Sequence, residues 1–319
     1  MKKKNNAVFI VNSPFQALSS ISVVKQNKFD SLAFYVINGE GSFEKTTALL
    51  KQYGFHYIVI DRLLHWFSLI KRVSFMGHFQ NVYVGDYFSI KEYIIAMAAS
   101  SLRANVVYLD DGNSTLSIAP PVSRKRYYSV KNRLAWCVFG GIAWLKRLRF
   151  SFCSIYDIEG KVKYPVKTND LSCLINTNLA KPKIGYYIIG TNIRDSKIRN
   201  HTYIDYLNKV ISFLRKSDEN ETIYYCPHRR NPETYSEFLE MNNIKIFNTE
   251  ISVEVDFCSK GINPKIIIGF GSTALITLRS IFSETEVVNC RIDFKNEKQN
   301  IAYKSIEKYM QTYHIHTLE

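Results

Sequence analysis

Short apolar runs alternate along this chain with longer segments of helical character. In the first half the runs are rich in β-branched and aromatic residues, as is typical of strands buried in a sheet. The predicted strands are 7–11, 32–37, 57–60, 82–85 and 106–109, and the predicted helices between them are 15–26, 43–53 and 89–102. Because strands alternate with helices, the pattern predicts an α/β fold with a parallel, doubly wound sheet.

A second alternation of the same kind begins near residue 183. Its predicted strands are 183–189, 222–226, 244–247 and 265–268, and its predicted helices are 203–216, 233–241, 253–260 and 273–281. We therefore expect an N-terminal Rossmann-like domain over 1–156 and a C-terminal one over 183–319. The mixed segment 157–182 is interpreted as a connection outside both sheets, and a last helix at 299–312 could return to the first domain. The cleft between two such domains is the expected site.

Size and charge restrict the class of protein. The chain has 319 residues, of which 46% are hydrophobic, which is enough for a large core in two domains of roughly 150 residues each. Forty-two Lys and Arg against 28 Asp and Glu give a net charge of +14. This excess of cations predicts an anionic partner or substrate, and nucleic acid, acidic lipid and phosphorylated sugar all fit.

The cysteines and the apolar segments indicate the compartment. The six cysteines are scattered and none stands in a CxxC pair, so buried, reduced thiols are expected and a zinc site is not. The first apolar segment is too short for a signal peptide, and no apolar run reaches the roughly 18 to 20 residues that span a bilayer. We expect a cytoplasmic protein.

A predicted helix at 134–145 is apolar and is bracketed by cations. The flanking cations are Arg124, Lys125, Arg126, Lys131, Arg133, Lys146, Arg147 and Arg149. A helix of this kind could lie on an anionic membrane surface, so the region 124–149 is a candidate for peripheral membrane contact. It could equally be a buried helix that closes the first domain. Both interpretations stay open and could apply to different faces.

Asp110-Asp111-Gly112 directly follows the predicted strand at 106–109. Asp-Gly is a common turn signal, but in open α/β sheets ligands bind at the carboxyl ends of strands. Two adjacent acids also make each other harder to ionise, which moves one of them toward the pKa of a general base. We therefore predict Asp110 as the base, with Asp111 and Gly112 as orienting residues.

Two further motifs follow predicted strands in the second half. Pro227-His228-Arg229 combines a histidine with cations, a combination suited to binding or protonating a phosphate. Gly271-Ser272-Thr273 precedes a helix, so its backbone N–H groups and hydroxyls could hold a phosphate. It lacks the P-loop lysine and the GxGxxG pattern. Simple helix capping by Ser272 is the alternative.

Taken in order, Asp110-Asp111-Gly112, His228 and Ser272-Thr273 resemble the motifs of bacterial sialyltransferases of GT-B architecture. The nearest resemblance is to glycosyltransferase family 52, the lipooligosaccharide and capsule sialyltransferases, with the bacterial polysialyltransferases as relatives. A turn after the first strand, Ser13-Pro14-Phe15-Gln16, is also similar. Arg229 stands where the family often has proline, and Pro227 precedes the histidine instead.

The resemblance implies two Rossmann-like domains, the first on the acceptor side and the second binding a nucleotide-sugar. It implies an inverting, metal-independent transfer from CMP-sialic acid to a glycan hydroxyl, the glycan being of capsule, lipooligosaccharide or O-antigen type. The positive charge of the chain also fits an acceptor on an anionic lipid carrier. Asp110 would take the acceptor proton and His228 would stabilise or protonate the CMP phosphate. The expected donor-binding residues are Gly190, Thr191, Asn192, Pro227, Arg229, Gly271, Ser272 and Thr273. The expected acceptor-side residues are Ser13, Pro14 and Gln16.

Two alternatives remain open. The first is a GT-B glycosyltransferase with another nucleotide-sugar, because no residue reads cytosine directly. The second is a basic protein that binds nucleic acid or membranes without catalysis, although the chain has no helix-turn-helix, zinc-finger or RNP signature. We expect no cofactor and no nucleic-acid partner.

Overall fold

The computed structural model describes residues 5–38, 42–60, 79–87, 89–116, 130–175, 182–192, 200–228, 235–294 and 297–319. The chain divides into two compact units, Met1–Cys173 and Leu174–Glu319. Each unit has its own parallel sheet.

The described strands of the first unit form one sheet in the order β3-β2-β1-β4-β5-β6-β7. These strands are β1 (Asn6–Val11), β2 (Ser31–Ile37), β3 (Tyr57–Ile60), β4 (Phe79–Val84), β5 (Ser100–Tyr108), β6 (Arg149–Ser154) and β7 (Val166–Thr168). Its described helices are α1 (Pro14–Gln26), α2 (Phe43–Gln52), α3 (Ile90–Ala99), α4 (Asn113–Leu116) and α5 (Val130–Leu145). Every strand pair in this sheet is parallel, as the alternation of strands and helices predicts.

The second unit repeats this plan with the strand order β10-β9-β8-β11-β12-β13. Its described strands are β8 (Tyr186–Ile189), β9 (Ile223–Cys226), β10 (Ile244–Ile246), β11 (Ile266–Gly269), β12 (Glu286–Cys290) and β13 (His316–Leu318). Its described helices are α6 (Asn200–Ser217), α7 (Ser236–Met241), α8 (Val253–Lys260), α9 (Ala274–Ile281) and α10 (Glu297–Thr312). The core between sheet and helices includes Tyr203 and Leu207 of α6 and Tyr303 of α10. The last helix therefore packs against the sheet of its own unit.

The segment 157–182 differs from the prediction. Its residues Val166–Thr168 form β7, which pairs with β6, and Asn169 is buried and donates to Ser19 Oγ of α1 at 2.7 Å. The prediction that this segment belongs to neither sheet is therefore wrong for β7. The reason is that a three-residue edge strand leaves too short an apolar pattern to recognise.

The cysteine prediction is confirmed in part. All six thiols are free, and Cys153, Cys226, Cys258 and Cys290 are buried. Cys173 is only partly buried and Cys137 is exposed, because Cys137 lies on the outer face of α5. Within the described residues, no helix is long and apolar enough to cross a membrane.

Candidate active site

The first unit places polar residues just beyond the carboxyl ends of β1, β4 and β5. The chain runs outward from β1 to β2 and β3 on one side, and then returns to β4 on the other side. Such a reversal point is where open α/β sheets bind ligands. Asn12 follows β1, Asp86 follows β4, and Asp110 follows β5.

Asp110 is fully buried beneath this edge and is held by the neighbouring strand β6. The Ser154 hydroxyl donates to Asp110 Oδ1 at 2.5 Å, and the Ile155 N–H donates to Oδ2 at 2.7 Å. Burial raises the pKa of Asp110 to about 7, although hydrogen bonds from Ser154, Ile155 and the Thr115 side chain lower it. Each carboxylate oxygen has two acceptor positions, so the three hydrogen bonds leave one position for a further donor. A carboxyl group with this pKa can accept a proton near neutral pH.

Asp111 is partly buried and is linked to the start of α1. Gln16 Nε2 donates to Asp111 Oδ1 at 2.9 Å, while Gln16 Oε1 accepts from the Asn12 N–H at 2.7 Å. A β-carbon at Gly85 would lie 2.1 Å from Gln16 Oε1, so glycine is needed where this side chain passes. Gln16 therefore orients the second carboxylate of the motif.

The turn after β1 caps the N-terminus of α1. Ser13 Oγ accepts from the Gln16 N–H at 3.3 Å, and Pro14 is the first residue of α1. Ser13 and Gln16 have the spacing of a reciprocal capping box, but the Gln16 side chain pairs with Asn12 and Asp111 instead of the Ser13 N–H. The Gly112 backbone has a φ of 56°, which fits a turn directly after the two acids.

Glu92 is a further carboxyl group at this edge that the sequence analysis did not select. It is fully buried; its Oε2 accepts from the Asp86 N–H at 2.7 Å, and its Oε1 accepts from the Asn12 side-chain amide. Burial, followed by the charge of Asp86, raises its pKa well above the usual value. The only sequence signal was the spacing of Ser89 and Glu92, which is typical of a helix cap. The edge thus carries four carboxyl groups and suits removal of a proton.

The second unit has the same kind of reversal point, since β8 lies between β9 and β11. Gly190 follows β8 and its N–H donates to the Cys226 carbonyl at 2.9 Å. A β-carbon at Gly190 would lie 3.1 Å from the His228 backbone nitrogen. Two of the predicted donor-binding segments are therefore immediate neighbours.

Thr191 and Asn192 continue from Gly190 and are partly buried. The Thr191 backbone makes a hydrogen bond with the phenol of Tyr203, whose hydroxyl lies 3.3 Å from the Tyr225 hydroxyl. This pair of buried tyrosines supports the loop from beneath. Pro227 and His228 are also partly buried, whereas Arg229 lies outside the described residues.

Gly271 turns the chain between β11 and α9 with a φ of 63°. Its N–H donates to Asn289 Oδ1 at 2.8 Å, and the Asn289 amide donates to the Tyr303 hydroxyl at 3.1 Å. The Gly271 N–H is therefore directed to Asn289 inside the protein. The sequence did not mark Asn289 as a site residue, because its only signal was a polar side chain within an apolar run.

Ser272 and Thr273 lie at the N-terminus of α9. Ser272 Oγ accepts from the Ala274 N–H at 3.3 Å, whereas the Thr273 side chain makes no capping hydrogen bond. The alternative role of Ser272 as a cap is thus present in the structure. A capping hydroxyl can still donate its own hydrogen to an anion. Within the described residues, no group of three or more His, Cys, Asp or Glu is arranged to hold a metal ion.

Solved structures share this fold over nearly the whole chain. An alpha/beta-galactoside alpha-2,3-sialyltransferase from Photobacterium phosphoreum aligns with a TM-score of 0.57 at 12% identity, covering 99% of both chains. The GT-B domain of a sialyltransferase from Photobacterium damselae aligns with a TM-score of 0.52 at 12% identity, covering 98% of this chain and 99% of that one. A UDP-N-acetylglucosamine 2-epimerase aligns with a TM-score of 0.51 at 12% identity, covering 98% and 91%. The fold is GT-B, as predicted.

A sequence family adds to this fold assignment. Residues 192–291 match the alpha-2,8-polysialyltransferase (POLYST) family, and this region contains His228, Ser272 and Thr273. A comparison with curated proteins gives no significant match. The predicted resemblance to bacterial GT-B sialyltransferases is confirmed, and the family region and fold together support a glycosyltransferase of the sialyltransferase class.

Proposed function

We propose that this protein transfers sialic acid from CMP-sialic acid to a hydroxyl of a glycan, with inversion and without a metal ion. The observation that carries the proposal is the polysialyltransferase match over 192–291, because it contains the histidine and the hydroxyl pair at strand ends of one sheet. The acceptor is a capsule, lipooligosaccharide or O-antigen type glycan on a lipid carrier, and the reaction takes place in the cytoplasm.

The chemistry divides between the two units. In the first unit, Asp110 takes the proton of the acceptor hydroxyl while the hydroxyl oxygen forms a bond to the anomeric carbon of sialic acid. In the second unit, His228 donates a hydrogen bond or a proton to the CMP phosphate as the bond between that phosphate and the anomeric carbon breaks. One displacement of this kind inverts the anomeric centre. Asp111 and Gly112 orient the base, and Ser13, Pro14 and Gln16 belong to the acceptor side.

We place the nucleotide-sugar in the second unit because the loops at its strand ends carry groups that can donate hydrogen bonds. Ser272 and Thr273 hold the CMP phosphate at the N-terminus of α9, where the helix dipole favours an anion. Gly190, Thr191 and Asn192 contact the nucleotide or the sialic acid next to His228, with Pro227, Arg229 and Gly271 completing the site. The carboxyl-rich edge of the first unit would repel an anionic donor and suits a neutral hydroxyl acceptor.

Donor choice is tested by thermal shift and transfer assays with CMP, UDP and GDP and their sugars, in the presence of EDTA. CMP at 100 times its Kd should stabilise the fold by about 2.7 kcal/mol, and CMP-sialic acid should support transfer. The UDP arm matters because a UDP-N-acetylglucosamine 2-epimerase has the same fold. Stabilisation and turnover with UDP-sugars alone would overturn the proposal in favour of another GT-B enzyme.

The pH dependence of kcat/KM tests the assigned base. Because burial raises the pKa of Asp110 to about 7, the group is protonated and inactive below that pH. We expect kcat/KM to rise with pH and to level off above about 7. In Ser154→Ala, the ionised carboxylate loses a hydrogen bond of about 1.5 kcal/mol. The rising limb should then move about one unit to higher pH.

Ser280→Ala is the matched control for that shift. The Ser280 hydroxyl donates to the Ile276 carbonyl within α9, so its removal changes a local hydrogen bond of similar kind far from Asp110 in sequence. This variant should keep the wild-type pH dependence of kcat/KM. A Ser154→Ala profile that coincides with the wild type would show that Asp110 does not set the limb.

A further inference from the structure

Helix α5 presents two different faces. On the inner side Ala143 is buried, and the Phe139 ring meets Tyr93 of α3 edge to face at 6.4 Å. Lys146, just beyond the helix, donates to the carbonyls of Met97 and Ser100 at 2.7 and 2.9 Å. The helix is therefore fixed to α3 along one side. This part of the structure agrees with the packed-helix interpretation.

The outer face of α5 is apolar and open to solvent. Leu134, Val138, Trp144 and Leu145 are between 60% and 79% exposed. At about 100° per residue, Leu134, Val138 and Leu145 lie within about 40° of one another around the helix axis. These side chains form a stripe about 17 Å long, calculated from the helical rise. Four large apolar side chains exposed on one helix mark an interaction surface.

The stripe extends onto the neighbouring strand. The Arg103 N–H donates to the Lys146 carbonyl at 2.8 Å, which places the start of β5 at the C-terminal end of α5. Leu102 is 68% exposed there. Arg103, Arg147 and Arg149 are exposed around the same end. We call Leu102, Leu134, Val138, Trp144 and Leu145, with these three arginines, the α5 surface.

Charge decides what the α5 surface fits. Residues 112–156 contain eight Lys and Arg and neither Asp nor Glu. No acidic residue therefore offsets the positive charge of the stretch of chain that includes α5. A soluble protein partner would need an acidic rim around an apolar centre. An anionic bilayer offers both features at once, since acidic headgroups attract the arginines and the interface accepts the apolar side chains.

We propose that the α5 surface docks this protein on an anionic lipid bilayer, with the helix lying parallel to the membrane plane. The exposed side chains enter the headgroup boundary and the arginines contact lipid phosphates. Docking does not depend on which nucleotide-sugar the enzyme uses. It would hold a lipid-linked acceptor and the enzyme at the same surface.

Vesicle co-sedimentation of the full chain tests this proposal. The protein should sediment with vesicles of phosphatidylcholine mixed with phosphatidylglycerol, remain in solution with phosphatidylcholine alone, and be released by high salt. Val138→Ser with Leu145→Ser should abolish sedimentation. Met241→Ser with Ile246→Ser is the matched control, because these residues are exposed and apolar in the second unit. The control should bind like the wild type.

Two double variants that remove the same charge from different surfaces separate binding through the α5 surface from an effect of net charge. Arg103→Gln with Arg149→Gln should weaken binding to anionic vesicles about fivefold for each cation removed. Lys216→Gln with Lys245→Gln removes the same charge from exposed positions of the second unit and should have little effect. Equal losses in both double variants would contradict docking through α5.

Size-exclusion chromatography tests the alternative that a second copy of the chain binds to the α5 surface. A wild-type dimer that becomes a monomer in Val138→Ser with Leu145→Ser, without vesicle binding, would overturn the lipid proposal. Failure of the wild type to sediment with any anionic vesicle would overturn it as well. Loss of CMP-sialic acid transfer alone would not, so failure of the proposed function and failure of docking remain distinguishable.

Discussion

Asp110→Asn is expected to lower kcat/KM by about 10² to 10⁴, the contribution of a positioned general base. The variant keeps the size of the side chain and can still pair with Ser154 and Ile155. The side-chain oxygen of the asparagine can accept from the Ile155 N–H. Its NH2 group can donate to Ser154 Oγ, which is the donor of that hydrogen bond in the wild type. The loss of activity should therefore come from the missing base and not from altered packing. Steady-state transfer from CMP-sialic acid measures it.

Two controls define the meaning of that loss. Asp256→Asn changes another buried carboxylate with a raised pKa, one that accepts from the Glu250 N–H at 2.6 Å, and it should leave kcat/KM close to the wild type. Asp111→Asn retains an oxygen for the Gln16 amide and should lose less than Asp110→Asn. A larger loss in Asp111→Asn would contradict the assignment and make the less buried carboxylate the base.

His228→Ala is expected to lower kcat by about 10² to 10⁴, because support for a departing phosphate is realised mainly in the transition state. Binding of CMP itself should change much less, since Ser272 and Thr273 remain. Transfer assays give kcat, and thermal shift with CMP gives the affinity. Added imidazole, which fits the space of the missing ring, should restore part of the rate.

His316→Ala is the matched control, because His316 is exposed on β13 of the same unit. It should transfer sialic acid at the wild-type rate. If His228→Ala kept its kcat and lost only CMP affinity, His228 would be a binding residue and the leaving group would need another source of support.

The strand-end motifs were predictable because each follows an uninterrupted apolar run. Asp110 after β5 and His228 after β9 occupy the positions that their sequence context indicates. The parallel order of the strands follows from the alternation with helices. These features depend on residues that are close together in the chain.

The partners of those residues were not predictable, since they come from distant segments. Ser154 is 44 residues from Asp110, and it lies on β6, whose first half consists of the exposed Arg149 and the partly buried Phe150 and Ser151. Glu92 resembles a local helix cap in the sequence, yet its side chain meets Asn12, which is 80 residues away. Local patterns carry no information on such pairs.

The enclosure of Asp110 has a consequence for the catalytic cycle. This carboxyl group has no surface in contact with water, so an acceptor hydroxyl reaches it only when this edge opens locally, and a proton taken from that hydroxyl cannot pass into the bulk once the edge has closed. Its hydroxylic neighbour Ser154 also lies inside the protein. In the proposed mechanism each round of transfer therefore ends with proton export, either through local opening at this edge or along a chain of hydrogen-bonded groups, before the next acceptor is activated.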